Sequence, residues 1–171
     1  MAKVLVIQGA GMNMRGKTQV EIFGTTTLED INEQIRTYGE SLGLEVELFH
    51  SNIEGKVVNA LYDADDRGFD AALINPAGYT TGTGPLRNAI TQVKFPVIEV
   101  HASNPTARGT VSNILPVCKG AVYGFGVRVL PCPGEGQAHD LARRITGRRH
   151  ALPGRWRTTA EYSSARPESR W

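Results

Sequence analysis

Three features of the chain predict a three-layer α/β sandwich built on a parallel sheet. Short apolar runs recur along residues 1–126, and segments with the helical period separate them. Glycine, proline or a capping pattern marks most changes of period. Strands separated in this way need crossover connections, which make neighbouring strands parallel and place helices on both faces. The length of 171 residues suits one folded domain, and 40% apolar with 21% charged residues suits a packed core rather than disorder.

Residues 4–8 read as a short buried strand ending in Gln8-Gly9-Ala10-Gly11. Residues 9–24 hold four glycines with no clean period, so a long loop is expected there. Thr26-x-x-Glu29 has the form of a capping box, after which Leu28, Ile31, Ile35, Tyr38 and Leu42 share a helical face until Gly43 stops the helix. Residues 45–49 alternate as a second strand. Ser51-x-x-Glu54 then opens a helix with Ile53, Val57, Leu61 and Tyr62 facing inward. Residues 71–75 form the third strand, and 83–93 a helix with Pro85 near its first turn. Residues 96–101 and 121–126 supply the last two strands. The whole is a flavodoxin-like three-layer sandwich with a five-stranded parallel sheet, expected to occupy residues 1–130.

The formal charge of +2 conceals an asymmetry. Residues 1–126 carry 10 basic and 13 acidic side chains, whereas residues 127–171 carry nine arginines against four acidic residues. After Gly126 the pattern degrades and Pro131-Cys132-Pro133-Gly134 breaks any element. Residues 131–171 are therefore expected to be a basic, Arg-rich tail, disordered apart from one or two helical turns at 137–145, and not a native extension of the fold. Its composition suits a GC-rich gene read out of frame. A basic tail raises the question of nucleic acid, but without interleaved aromatics, a motif or zinc spacing no nucleic-acid partner is expected. No apolar run approaches the roughly 20 residues of a membrane-spanning helix. The short run after Met1-Ala2-Lys3 has no cleavage site, so the expected location is the cytoplasm. Cys118 and Cys132 are too few for a disulfide scaffold and lack metal-ligand spacing.

In such folds ligands sit beyond the carboxyl ends of the strands, at a switch in strand order. That rule selects Gln8 with residues 9–11, Asn75 with the loop to Gly84, and His101 with Ala102, Ser103 and Asn104. Glu99 and His101 lie two apart on a strand and share a face. A carboxylate beside an imidazole fixes its tautomer and supports the imidazolium, which general acid–base work requires. The alternative is a structural histidine satisfied by its neighbour. Asn75 offers an amide to a carboxylate or hydroxyl. Thr80-Thr81-Gly82-Thr83-Gly84 reads either as an anion site at a helix start or as a plain cap with a flexible loop. No Gly-Lys-Ser/Thr follows, so it is not a phosphate loop. A flavin mononucleotide site is not expected either, because the loop after the first strand has no Ser/Thr-rich stretch before Gly24.

Several blocks together carry a family resemblance: Val4-Leu5-Val6-Ile7-Gln8-Gly9, the run from Ile22 to Ile31, Ile74-Asn75-Pro76, Tyr79-Thr80, Leu86-Arg87-Asn88-Ala89, Glu99-Val100-His101-Ala102-Ser103-Asn104 and Tyr123-Gly124-Phe125-Gly126. In this order, over residues 3–126, they resemble the type II 3-dehydroquinate dehydratases. The resemblance implies a flavodoxin-like fold, a homo-oligomer (a dodecamer built from trimers), no cofactor, and removal of water from a small hydroxylated cyclohexanone carboxylate through an enolate. It places the family's general acid on His101, within Glu99-Val100-His101, the carboxylate-binding asparagine on Asn75, and the clamp that follows the acid on Ala102 and Ser103.

Other positions of the pattern depart from the family. Thr81 stands for a substrate histidine, and Asn88 for an aspartate that reaches a neighbouring subunit's site. Thr18 replaces the loop arginine, Phe23 the base tyrosine, and Gly11 the asparagine that helps hold a catalytic water. Ser112 stands where a substrate-clamping arginine is expected. Two functions are compatible with this set. One is a divergent hydro-lyase for a small cyclic hydroxy-keto carboxylic acid, with His101 as its acid–base group. The other is a non-catalytic homologue that binds a small carboxylate or serves only as an assembly.

Overall fold

Leu5 and Ile7 point to one side of the sheet and Val4 and Val6 to the other, and all four are buried. A strand apolar on both faces belongs in the interior of a parallel sheet. In the computed structural model, which describes residues 1–82 and 84–124, β1 (Ala2–Ala10) takes that place. It pairs with β2 (Leu44–His50) on one side and β3 (Ala71–Ala77) on the other. The sheet continues through β4 (Val97–His101) to β5 (Gly120–Tyr123), in the order β2-β1-β3-β4-β5, with every pairing parallel. This is the flavodoxin-like order, and the chain reverses its direction of growth between β1 and β3. Residues 125 and 126 of the expected fifth strand and the expected tail at 131–171 lie outside the described residues.

Helices cover both faces. The four-residue α1 (Val20–Phe23) and one 3-10 turn (Met12–Met14) interrupt the expected loop after β1. On one side α2 (Leu28–Ser41) buries Ile31 and Ile35 against Val4, Val6, Ile98 and Val100. On the other, α3 (Glu54–Asp66) and α4 (Gly84–Gln92) bury Val57, Leu61, Leu86 and Ile90 against Leu5, Ile7 and Ile74. Gly39 lets α2 approach β2, since a Cβ there would stand 2.4 Å from Val46 Cγ2. Among the described residues, no helix is long and apolar enough to cross a membrane.

Two local expectations shift. The cap of α2 is Thr27, not Thr26. Thr27 Oγ1 accepts the Asp30 backbone N–H at 3.2 Å, while the Asp30 carboxylate accepts the Thr27 N–H at 2.9 Å. Three consecutive threonines offer three possible caps, and the one in register with Ile31 and Ile35 is used. The Thr27 hydroxyl, donating to Asp30 Oδ2 at 2.6 Å, and then the Thr27 N–H hold the Asp30 carboxyl below its ordinary range. Thr27→Ala is therefore expected to cost about 1 kcal/mol by denaturant titration, and Thr26→Ala only a few tenths. In α3 the buried stripe is Val57, Leu61 and Ala64; Ile53 stands before the helix and is 58% exposed, and Tyr62 is 38% exposed. Ser51 does not cap the helix but accepts the Ile53 N–H at 2.9 Å in the turn before it.

Candidate functional site

The carboxyl ends of β1, β3 and β4 open together. Gly9 makes the first of these exits possible: a Cβ there would lie 2.0 Å from the Pro76 carbonyl oxygen. Gly11, at φ 86°, then turns the chain into the Met12–Met14 turn, and its N–H donates to Asn52 Oδ1 at 2.8 Å. At the end of β3, Ala77 is held at φ 48°, a left-handed conformation that costs a non-glycine residue about 1–2 kcal/mol. Its carbonyl accepts the Thr80 hydroxyl at 2.7 Å, and the Ala10 carbonyl accepts the Gly78 N–H at 3.0 Å. The loop beyond β4 is tied to the same turn. Asn113 donates its backbone N–H to the Thr80 carbonyl at 2.9 Å and its side-chain amide to the Thr81 carbonyl at 3.0 Å.

These exits surround a cavity of about 510 Å³, within the range of small-ligand sites. Asn75, Thr81, His101, Ala102 and Ser103, all singled out from sequence, line it, as do Gly11 and Thr18. Glu99 lies beneath it, 1% exposed, and its Oε1 meets His101 Nε2 at 2.5 Å. The other carboxylate oxygen accepts the Ser112 hydroxyl at 2.8 Å. The Tyr123 ring stands edge-on to the imidazole, with centroids 6.4 Å apart.

Asn75 turns its amide nitrogen to Gln8 Oε1 at 3.3 Å and to Met12 Sδ at 3.2 Å. That orientation leaves Oδ1 as the atom offered to a ligand, an acceptor suited to a hydroxyl. Gln8 is fully buried and supports Asn75 instead of lining the cavity. Two positions that the family pattern assigns to a substrate site are not brought in. Asn88 lies on the exposed side of α4, away from the cavity, its carbonyl accepting the Thr91 hydroxyl at 2.7 Å. Ser112 does not line the cavity either, because its side chain turns inward to Glu99.

Arg15 and Arg108 also line the cavity, and sequence reasoning passed over both. The signal available was thin: a cation in each of the loops that follow β1 and β4. Burial lowers the Arg15 guanidinium from its ordinary value, yet an arginine stays protonated throughout the physiological range. Among the described residues that line the cavity there is no carboxylate and no tyrosine. Two guanidinium groups in the cavity wall favour an anionic ligand.

Beside Glu99, burial first and then the carboxylate push the Cys118 thiol from 9.0 up to about 12. Because the unfolded chain gives up this proton first as pH rises, the native state binds more protons above about pH 9 and loses stability there. Denaturant midpoints are expected to fall between pH 8 and pH 10 in the wild type, and to fall less in Cys118→Ser.

Comparison with known proteins agrees with this geometry. The family profile described as Dehydroquinase class II matches residues 2–130. The 3-dehydroquinate dehydratase of Caldanaerobacter subterraneus subsp. tengcongensis is 41% identical over 129 residues, covering 74% of this chain and 86% of that protein. That of Ruegeria pomeroyi is 42% identical over 132 residues, covering 75% and 87%. The crystal structure of type II dehydroquinase from Butyrivibrio crossotus superposes with a TM-score of 0.73 at 33% identity, covering 82% of this chain and 96% of that one. The Propionibacterium acnes type II dehydroquinase gives 0.73 at 29% identity, covering 77% and 92%. With a matching profile over most of its length, relatives near 40% identity and solved structures of the same fold, the chain belongs to the class II dehydroquinase family.

Proposed function

We propose that this chain is a divergent hydro-lyase of that family, acting in the cytoplasm on a small cyclic hydroxy-keto carboxylic acid, and that 3-dehydroquinate is a poor substrate for it. One observation carries the reading: His101 faces a ligand-sized cavity while its other side is bonded to the buried Glu99. An imidazole so placed can give a proton to a departing hydroxyl, with the carboxylate stabilising the imidazolium beforehand. Asn75 Oδ1 accepts from a substrate hydroxyl, and Ser103, the Ala102 backbone and the two arginines meet its carboxylate. Thr81 supplies a further hydroxyl at the rim. The reading includes a homo-oligomer, with Asn88 on an exposed helix face directed to a neighbouring subunit. A monomer mass by light scattering at micromolar concentration would contradict that part.

What sets the chain apart is the other half of the reaction. The resemblance assigns removal of the α-proton to a tyrosine, here Phe23, activated by an arginine, here Thr18. A phenyl ring has no oxygen to take a proton, and a threonine cannot lower a neighbour's pKa as a guanidinium does. The test is turnover of the purified full chain on a panel of cyclic hydroxy-keto acids that includes 3-dehydroquinate, followed by enone absorbance. Product from a panel member other than 3-dehydroquinate supports the lyase. A thermal shift with panel acids and no turnover of any supports the binding-only homologue instead.

A further inference from the structure

Ser112 is accounted for neither by the cavity nor by the family pattern. Its Oγ donates to Glu99 Oε2 at 2.8 Å and accepts the Leu115 backbone N–H at 3.2 Å. A hydroxyl has a single hydrogen, and with the Leu115 amide on one lone pair that hydrogen is turned to the carboxylate. Glu99 is thus held at both oxygens, one by Ser112 and one by His101 Nε2, in a place where it is 1% exposed and water does not compete. A carboxylate gripped at its far oxygen keeps its near oxygen aimed at Nε2. The remaining ring nitrogen, Nδ1, has no hydrogen-bond partner among the described residues, and His101 borders the cavity.

We propose that Ser112 is a positioning residue: by fixing Glu99 it holds neutral His101 as the Nε2–H tautomer and makes Nδ1 the atom that exchanges a proton with the ligand. The exchange rests on His101 being the acid–base group, as argued above, but the tautomer can be read with no substrate present. The groups around the pair are Cys118 beside Glu99, Tyr123 from β5, and Arg15 and Arg108 at the cavity wall. None belongs to a class that ordinarily changes charge between about pH 5 and 8. A change in His101 titration in that window therefore reports on Glu99 and Ser112.

The experiment is nitrogen-15 NMR of the full chain labelled at histidine. The four histidines are His50, His101, His139 and His150, and His101 is assigned by the signals lost in His101→Asn. In the wild type, neutral His101 is expected to show a protonated Nε2 and an unprotonated Nδ1. In Ser112→Ala the buried Oε2 loses its donor, so the carboxylate binds the shared proton more strongly. The midpoint for protonating the pair then rises, by on the order of one pH unit, and the tautomers mix. Ser112→Thr keeps the hydroxyl and restores both properties.

A wild-type His101 protonated at Nδ1 overturns the proposal. So does a Ser112→Ala protein that is less stable but has an unchanged midpoint and tautomer, since Ser112 would then only cap the Leu115 turn. If Ser112→Ala does not fold, Ser112→Cys, a weaker donor, must titrate above the wild type. Lack of turnover on the acid panel, with the NMR result as expected, counts against the lyase reading and leaves the positioning role standing.

Discussion

His101→Ala is expected to lower kcat by about 10²–10⁴-fold on any substrate the panel identifies, while leaving a native circular dichroism spectrum. The fold should persist because His101 is the last residue of β4, beyond the β3–β4 pairing of Ala72, Leu73 and Ile74 with Val97, Ile98 and Glu99. Some stability should still be lost. Removing the imidazole leaves Glu99 Oε1 buried without the partner it now has, and an orphaned buried acceptor costs about 1–3 kcal/mol. A lower denaturation midpoint with an intact spectrum is thus part of the expected result. His101→Asn should not rescue turnover, because an amide can fill the space but cannot pass a proton at neutral pH. Retention of most of the activity in His101→Ala would make His101 a structural residue that happens to border the cavity.

The layout of the sheet was legible because its cause is local. Val4, Leu5, Val6 and Ile7 are apolar without alternation, which only a strand covered on both faces requires. Helix phase was less legible at the edges. Ile53 and Tyr62 are apolar enough to suggest burial, but Val57, Leu61 and Ala64 set the stripe, leaving Tyr62 off it and Ile53 outside the helix. The cap of α2 was ambiguous in principle, since Thr26 with Glu29 and Thr27 with Asp30 have equal spacing. Only the packing of Ile31 and Ile35 separates them.

Much the same division runs through the candidate site. Asn75 and His101 could be picked out because strand ends converge on one edge of a parallel sheet, and Glu99 because alternate residues on a strand share a face. Arg15 and Arg108 come from loops whose course depends on bonds distant in sequence, such as Gly11 to Asn52 and Asn113 to Thr80. Ser112 was harder still. Its inward turn depends on a second oxygen of Glu99, 13 residues earlier, and on the Leu115 amide, neither of which has a sequence pattern. The family pattern marks position 112 only by the clamping arginine that Ser112 replaces, which says nothing of a bond to Glu99.

If the proposed reading holds, introducing the arginine and the tyrosine that the family pattern places at residues 18 and 23 should raise activity on 3-dehydroquinate. Thr18 lines the cavity, so a guanidinium introduced there by Thr18→Arg begins from the cavity wall. Phe23→Tyr adds the oxygen that could take a proton, but a phenol near its ordinary value of about 10 is rarely deprotonated at neutral pH. A nearby cation favours the phenolate, so each substitution depends on the other. Either single variant is expected to gain little, and the double variant to gain about 10²–10⁴-fold in kcat/KM, with strong non-additivity in the cycle. The assay is continuous enone absorbance with 3-dehydroquinate, alongside the wild type. If the wild type already turns over at an ordinary enzyme rate, on the order of 1–10³ s⁻¹, some group other than residue 23 removes the proton. If it is slow and the double variant gains nothing, more than the base is missing. Gly11 would be the next position to restore, because it too lines the cavity and stands where the family places an asparagine that helps hold a catalytic water.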